Sequence, residues 1–403
     1  MRLHTFAALT LVACVAVKAG SPASAKPPGG YGRRTAGRSA VDLALNSELT
    51  ARLKHGWKPD GVLPHSRSGI PALIFAAQNG YDRTLATLLK AGANPNLYFR
   101  GRRASLNGYR FPICFAARWG HARAIELLLQ AGASISPKAP GSHRRLESSP
   151  LVYACNGEWL ACARVLLAHG ADAKQTQLGG GCSVLDAAAQ SSSAAIVRLL
   201  VKHGAGVNSR TSKRFWTPLI YAVENNNVST ALALLKLGAN PRLTAHFYHR
   251  GPKDAIDCVY PAGIGSHVKR LYRALISAAP DTLNPGPKSP LLAPIVCAAS
   301  YRDPQCVRLL LSLGAKPNQG SSSEALVMAV YGGCVRTAAT LLNHGAIMPH
   351  PRKPSGSLLQ VALRHEHWFD FHRNKRPAAG WYRKSKYYRF RRLVVLLRAY
   401  GGK

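Results

Sequence analysis

The sequence has 403 residues, and its 54 Lys and Arg against 17 Asp and Glu give a formal net charge of +37. This excess excludes an acidic solvating protein and the near-neutral surface of a typical metabolic enzyme. Because 47% of the residues are apolar, the chain can bury a substantial core, and the charge belongs to a folded molecule rather than to a disordered basic tail. The length favours two or three domains or one elongated repeat array.

Residues 1–25 have the pattern of a secretory signal peptide. A short basic start precedes an apolar stretch over 5–17, and a small-x-small cleavage pattern ends at Ala25. The stretch is shorter than the roughly 20 apolar residues of a membrane span. We expect cleavage near Ala25, export to the periplasm or the exterior, and a flexible linker over 26–38. A lipoprotein modified at Cys14 and a cytosolic protein with an apolar N-terminus are the alternatives.

The cysteines are more typical of buried apolar positions than of metal-binding or redox sites. The chain has nine, and eight remain if Cys14 leaves with the signal peptide. None of the eight has the close spacing of a zinc or redox motif, and most occupy places where a small apolar residue suits a helix. Export would permit disulfides, and the first pairs to consider are Cys155 with Cys162 and Cys297 with Cys306.

Two sequence blocks recur along the chain in fixed phase. A Leu-Leu pair followed by Gly-Ala returns at intervals of about 30 to 40 residues, with one interval near twice that length between Gly238 and Gly314. A second block stands about twenty residues before each glycine of the first. It consists of a small residue or Phe, then Pro, then an apolar run. The glycines of the first block are Gly92, Gly132, Gly170, Gly204, Gly238, Gly314 and Gly345. The prolines of the second are Pro112, Pro150, Pro218 and Pro294.

Each pair of blocks predicts a helical hairpin. A small polar residue before Pro is a natural helix N-cap, and Pro fits the first helical turn. The leucine pair buries the second helix, and the following Gly ends it in left-handed geometry. Such hairpins cannot bury their apolar faces alone, so they stack into a solenoid.

The blocks resemble those of the ankyrin-repeat family, whose pattern is Thr-Pro-Leu-His-x-Ala-Ala, then Gly-His, then Leu-Leu-x-x-Gly-Ala-x-x-Asn. Thr217-Pro218-Leu219, Gly120-His121 and the run from Gly92 to Asn96 carry the resemblance best. It implies an all-α ankyrin-repeat solenoid of helix-turn-helix units with projecting inter-repeat loops over 39–403.

The resemblance implies about nine units, degenerate at 39–66, 253–285 and 357–403. In the last of these, an insertion around 369–386 is expected to separate the two helices. The His of the family motif is replaced in most units, for example by Asp186 and Ile220, which leaves the source of its turn hydrogen bond open.

The family resemblance also implies that inter-unit loops and first-helix faces form a concave partner-binding groove. Four loops, 98–110, 138–145, 210–216 and 242–253, are basic, and three of them are also aromatic, the composition of binding hot spots. We expect them to bind a protein partner of acidic character; the alternative is solvated loops, with Phe215 and Trp216 packing at the next helix start. The candidate partner-binding residues are Tyr98, Phe99, Arg100, Arg102, Arg103, Tyr109, Arg110, Arg144, Arg145, Arg214, Trp216, Phe247, Tyr248 and Arg250.

A second basic and aromatic block lies near the C-terminus. It favours binding of a polyanion such as nucleic acid, an anionic glycan or a lipid surface, by charge and stacking. The alternative is a polar end-cap of the solenoid. The candidate polyanion-binding residues are Arg373, Lys375, Arg376, Arg383, Lys384, Lys386 and Arg389.

No motif in the sequence indicates catalysis. His365 and His367 are two residues apart, would face different sides of a helix, and are expected at an inter-helix turn, so we predict no metal site. Nucleophile elbows, phosphate loops and paired carboxylates with suitable surroundings are missing from the sequence. The chain is predicted to be a non-enzymatic scaffold without cofactor or small-molecule substrate, and a regulatory subunit or inhibitor of an exported enzyme is a further alternative.

Overall fold

The computed structural model describes most of the chain after residue 33. The described ranges are 34–63, 69–99, 111–137, 149–175, 182–210, 215–247, 251–256, 258–259, 266–286, 293–318, 324–348, 357–372 and 380–401. The predicted signal peptide, including Cys14, lies outside them. The chain divides into two compact units, Met1–Gly206 and Val207–Lys403.

The first unit is built from helices in two layers. A long helix, α1 (Arg34–Lys54), precedes four hairpins: α2 (Ala72–Asn79) with α3 (Asp82–Lys90), α4 (Pro112–Trp119) with α5 (Ala122–Gln130), α6 (Pro150–Asn156) with α7 (Leu160–Ala168), and α8 (Val184–Gln190) with α9 (Ala194–Lys202). First helices pack on first helices and second helices on second helices, and α1 packs against α3. This is the stacking that a repeat solenoid requires.

Helix α1 begins inside the segment predicted to be a flexible linker. Residues 34–38 are helical, so the prediction of a flexible linker over 26–38 is wrong at its C-terminal end. The helix is held by Asp42, whose carboxylate accepts hydrogen bonds from the backbone N–H groups of Arg83 (3.1 Å) and Thr84 (3.0 Å) at the start of α3. The N-terminal helix therefore caps the first hairpin.

The second unit continues the repeat with one departure. Its helices are α10 (Pro218–Glu224), α11 (Val228–Lys236), α12 (Ser266–Ala278), α13 (Pro294–Ser300), α14 (Pro304–Ser312), α15 (Glu324–Tyr331), α16 (Val335–Asn343), α17 (Leu358–His372) and α18 (Gly380–Ala399). Between α11 and α12 lies an antiparallel hairpin of β1 (Ala245–Phe247) and β2 (Gly251–Lys253), and a 3-10 turn, Pro280–Leu283, follows α12. Helix α12 and the turn lie in the stretch predicted as a degenerate repeat, 253–285, while the β-hairpin ends at the first residue of that stretch. The all-α class is confirmed.

The helix starts follow the predicted capping pattern in part. The Thr217 hydroxyl accepts a hydrogen bond from Ile220 N–H at 3.2 Å, and Ser183 forms a reciprocal capping box with Asp186 at 3.0 and 2.8 Å. Where Asp186 and Ile220 replace the family His, the turn is thus secured by the N-cap side chain. Ser149 differs, because its hydroxyl donates to Gln175 instead of capping its own helix.

The predicted glycine C-caps are confirmed. Gly132, for example, has φ +88°, and the next N–H, of Ala133, donates to the Leu128 carbonyl at 2.9 Å. Glycine adopts this left-handed geometry without the steric cost of a side chain.

The last hairpin corrects two predictions. The described part of 369–386 is helical and belongs to α17 and α18, so the expected insertion lengthens both helices. His365 and His367 lie within α17 and not at an inter-helix turn. The ring of His365 stacks on Phe390 of α18, with centroids 4.8 Å apart, and joins the two helices.

The cysteines behave as predicted for buried small residues. Five of the eight in the described residues are buried, and Cys155 and Cys162 are both thiols, so that suggested pair is not bridged. The Cys306 thiol donates to the Tyr272 hydroxyl at 3.3 Å, so the second suggested pair is not bridged either. Burial raises the pKa of Cys162 to about 12 and that of Cys306 to about 11, which keeps both protonated at neutral pH.

Candidate protein-binding loops

The inter-repeat loops start from turns that are hydrogen-bonded to the turn of the next repeat. Asn96 donates from its amide to the Gly132 carbonyl at 3.0 Å and accepts from Ser134 N–H at 2.7 Å. Asn208 repeats the arrangement with Gly238 (3.2 Å) and Asn240 (2.7 Å). These bonds fix the base of each loop against the next repeat.

The first loop (98–110) is anchored through Tyr98. The ring of Tyr98 is half-buried and lies 5.3 Å from the ring of Phe111, the buried residue that precedes α4. Tyr98 therefore packs at the start of the next helix, and Phe99 is likewise half-buried. Arg100, Arg102, Arg103, Tyr109 and Arg110, and Arg144 and Arg145 of the second loop (138–145), lie outside the described residues.

The third loop (210–216) presents two aromatic residues in different ways. Trp216 is half-buried and packs on Tyr221 of α10 with ring centroids 4.9 Å apart. Phe215 is 46% exposed and adopts a left-handed backbone with φ +56°. An aromatic residue in this conformation is strained, and such strain is typical of functional positions. Arg214 lies outside the described residues.

Arg210 joins Phe215 to the next loop. Its guanidinium lies 5.3 Å from the centroid of the Phe215 ring, a cation–π arrangement, and its Nε donates to the Phe215 carbonyl at 3.5 Å. The same guanidinium donates through Nη2 to the carbonyl of Thr244, immediately before β1. One arginine thus sets the third and fourth loops side by side.

The fourth loop (242–253) is a short β-hairpin rather than an irregular segment. Ala245 pairs with Lys253 and Phe247 with Gly251, and the buried Asp254 side chain accepts from Ile256 N–H at 3.0 Å. The predicted residues Tyr248 and Arg250 fall outside the described residues.

Arg242 in this loop is already neutralised. It forms a bidentate ion pair with Asp281, with Nε–Oδ2 and Nη2–Oδ1 distances of 2.9 and 2.6 Å. Hydrogen bonding to Arg242 holds the pKa of the Asp281 carboxyl below its usual range. The sequence carries a signal for this long-range contact. Asn96 and Asn208 each stand four residues after the glycine of their repeat and bond to the next repeat, and Arg242 stands at the same position after Gly238.

The predicted C-terminal block lies partly on α18. Lys386 is half-buried and Arg389 is exposed, while Arg383 and Lys384 are helical. Tyr388 is 54% exposed. Arg373, Lys375 and Arg376 lie outside the described residues.

The described part of the chain shows neither a metal site nor a membrane-spanning helix. It contains no group of three or more His, Cys, Asp or Glu side chains placed to hold a metal ion. None of its helices is long and apolar enough to cross a membrane.

Comparison with known families agrees with the repeat architecture. Three overlapping matches to the model described as ankyrin repeats (3 copies) cover 73–177, 113–211 and 175–245, and a single ankyrin repeat matches 292–322. The chain therefore belongs to the ankyrin-repeat family. No curated protein matches it significantly. Ankyrin repeats mediate protein–protein interaction and are typically non-enzymatic, so the chain is a protein-binding scaffold.

Proposed function

We propose that this scaffold binds an acidic protein partner through its basic inter-repeat loops. The observation that carries the proposal is the Arg210–Phe215 pair, in which an exposed, strained aromatic ring lies 5.3 Å from a guanidinium. Arginine and aromatic side chains dominate the energetics of protein interfaces. The hydrogen bond from Arg210 to Thr244 supports the pair from the neighbouring loop.

The charge of the chain supports an acidic partner. Even if every one of the 17 acidic residues pairs with a cation, 54 − 17 = 37 cations have no carboxylate of this chain to neutralise them. The resulting positive field attracts acidic surfaces and raises the encounter rate with them. The loops then slow the dissociation of the partner, because side chains buried in an interface act mainly on the dissociation rate.

The test is a double substitution at the pair, Arg210→Gln with Phe215→Asn. Asparagine tolerates positive φ, so it removes the ring without adding backbone strain. In capture from the native source with purified full chain as bait, we expect the major bound protein to lose at least about tenfold in affinity. The matched control is Arg308→Gln, which removes an exposed charge from the second helix α14 in the same unit and should bind as the unmodified chain does. Equal binding by the double variant would contradict the proposal.

Polyanion binding through α18 is the second candidate. It is favoured by the exposed side chains of Tyr388, Arg391 and Arg392 on that helix. Binding of this kind follows counterion release, so its affinity falls steeply with salt and is insensitive to the loop substitutions.

We also propose that the chain is exported after cleavage near Ala25. The support is the signal-peptide pattern of 1–25. An N-terminus at residue 26 in the protein isolated from its source is the expected observation, and an intact N-terminus would contradict export by this route.

A further inference from the structure

A cationic cleft lies in the second unit, away from the inter-repeat loops. It has a volume of about 100 Å³ and is formed at the turns inside the hairpins, at the opposite helix ends from those loops. Arg302 comes from the turn between α13 and α14, and Gly332 and Gly333 come from the turn between α15 and α16. The other lining residues are Tyr331, His365, Lys386, Arg389 and Phe390.

The lining carries three cations and no carboxylate. Arg302, Lys386 and Arg389 line the cleft together with the imidazole of His365 and the phenol of Tyr331, and all of these side chains can donate hydrogen bonds to a small anion. We propose that this cleft binds a small tetrahedral oxyanion, inorganic phosphate or a phosphate monoester. Guanidinium groups bind such anions through paired N–H donors, and the volume suits one anionic group rather than a peptide segment.

Two glycines and one ring stack shape the walls of the cleft. The ring of Phe390 stacks on His365 and approaches Gly333 so closely that a Cβ there would lie 3.1 Å from its Cζ atom. A Cβ at Gly332 would meet Arg302 Nε at 3.2 Å. Glycine at both positions lets the Phe390 ring and the Arg302 side chain approach the turn between α15 and α16 closely.

The two guanidinium groups of Arg302 and Arg389 distinguish this cleft from a site for an acidic side chain. A carboxylate brings a single negative charge, whereas a phosphate near neutral pH brings close to two and accepts more hydrogen bonds. The cleft shares no residue with the Arg210–Phe215 pair, so the proposed loop function and the oxyanion site can fail separately.

Calorimetric titration of the full chain with inorganic phosphate tests the proposal, with ionic strength held constant by sodium chloride. Arg302 has φ +60°, and Asn226 holds the equivalent position after α10 with φ +55°, so Arg302→Asn removes the guanidinium while keeping the backbone. Arg389→Gln removes the second guanidinium. Arg398→Gln is the control, since it deletes an exposed charge on the same helix that does not line the cleft.

We expect saturable binding of about one phosphate per chain at this site, unchanged in Arg398→Gln and weakened at least about tenfold in Arg302→Asn and in Arg389→Gln. A parallel titration with glycerol 3-phosphate separates the two sources of the group, and binding of either supports the site. Absence of saturable binding overturns the proposal, as does an equal loss in all three variants, which would mark a general response to net charge.

Discussion

At the scale of single residues, His121 shows how a buried polar group ties distant segments together. Its Nε2 lies 3.0 Å from the Gln78 carbonyl and its Nδ1 lies 3.1 Å from Arg38 Nη2. Because a carbonyl only accepts and a guanidinium only donates, the ring is neutral, with its proton on Nε2. Arg38 also donates to the Gly80 carbonyl at 2.7 Å, which closes the end of α2.

This environment predicts acid sensitivity. Burial, and after it the Arg38 charge, lowers the pKa of His121 from 6.5 to about 4. The unfolded chain therefore binds the proton first as pH falls, so the stability from the neutral ring is complete above pH 6.5 and is lost progressively between pH 6.5 and 4. The expected loss is up to about 3 kcal/mol in the free energy of unfolding.

Urea unfolding at pH 7 and pH 4.5 measures this loss. His121→Gln should weaken the protein at pH 7 and reduce the difference between the two pH values. His203→Gln, at an exposed histidine, should leave that difference unchanged. If the His121 variant keeps the full pH dependence, the buried neutral ring is not its source.

The network also shows what the sequence could and could not predict. Gly120-His121 is visible as part of the repeat pattern, and the hairpin around it follows from that pattern. Arg38 stands 83 residues away in a segment whose composition resembles a linker, and no local signal connects it to His121. Pairing over that distance arises only from the packing of α1 on the first hairpin.

At the scale of elements, asparagine side chains link the turns of successive repeats. Asn284 donates to the Gly314 carbonyl at 3.0 Å and accepts from Lys316 N–H at 2.8 Å, and Asn318 does the same one repeat later with Gly345 and Ile347. Each side chain satisfies two backbone groups of the next turn, so it fixes the spacing between hairpins.

Asn284→Ala removes both of these bonds. At about 0.5 to 1.5 kcal/mol for each, the free energy of unfolding of this region should fall by about 1 to 3 kcal/mol, and the amide of Lys316 should exchange with solvent faster. Hydrogen exchange followed by mass spectrometry measures the change. Asn156→Ala, at an exposed position on α6, is the control and should leave exchange at Lys316 as it is. Unchanged exchange at Lys316 in the Asn284 variant would show that these bonds do not hold the turn.

Regular elements were predictable and irregular ones were not. The doubled spacing between Gly238 and Gly314 predicts a hidden repeat, but the β-hairpin that fills part of it depends on the long-range bonds of Arg210 and Arg242. In the same way, the repeat spacing predicts His365 at a turn. In the structure the helix continues past His365, whose ring stacks on Phe390 of the other helix of the pair.

At the scale of the whole molecule, the net charge of +37 sets the long-range electrostatic attraction between the chain and its surroundings. A positive field of this size attracts any polyanion, so selectivity must come from shaped contacts rather than from charge alone. The repeat scaffold provides those contacts by holding loops on stacked helices. We therefore predict that one acidic protein stays bound under conditions that remove nonspecifically attracted polyanions.

Affinity capture with the full chain from its native source, at low and at high salt, tests this most directly, with bound protein, nucleic acid and glycan all quantified. We expect one acidic protein to be bound in stoichiometric amount and retained at high salt, because contacts with the loops supply part of the affinity. A mixed anionic fraction that is lost at high salt would contradict this expectation and would make the charge itself the basis of binding.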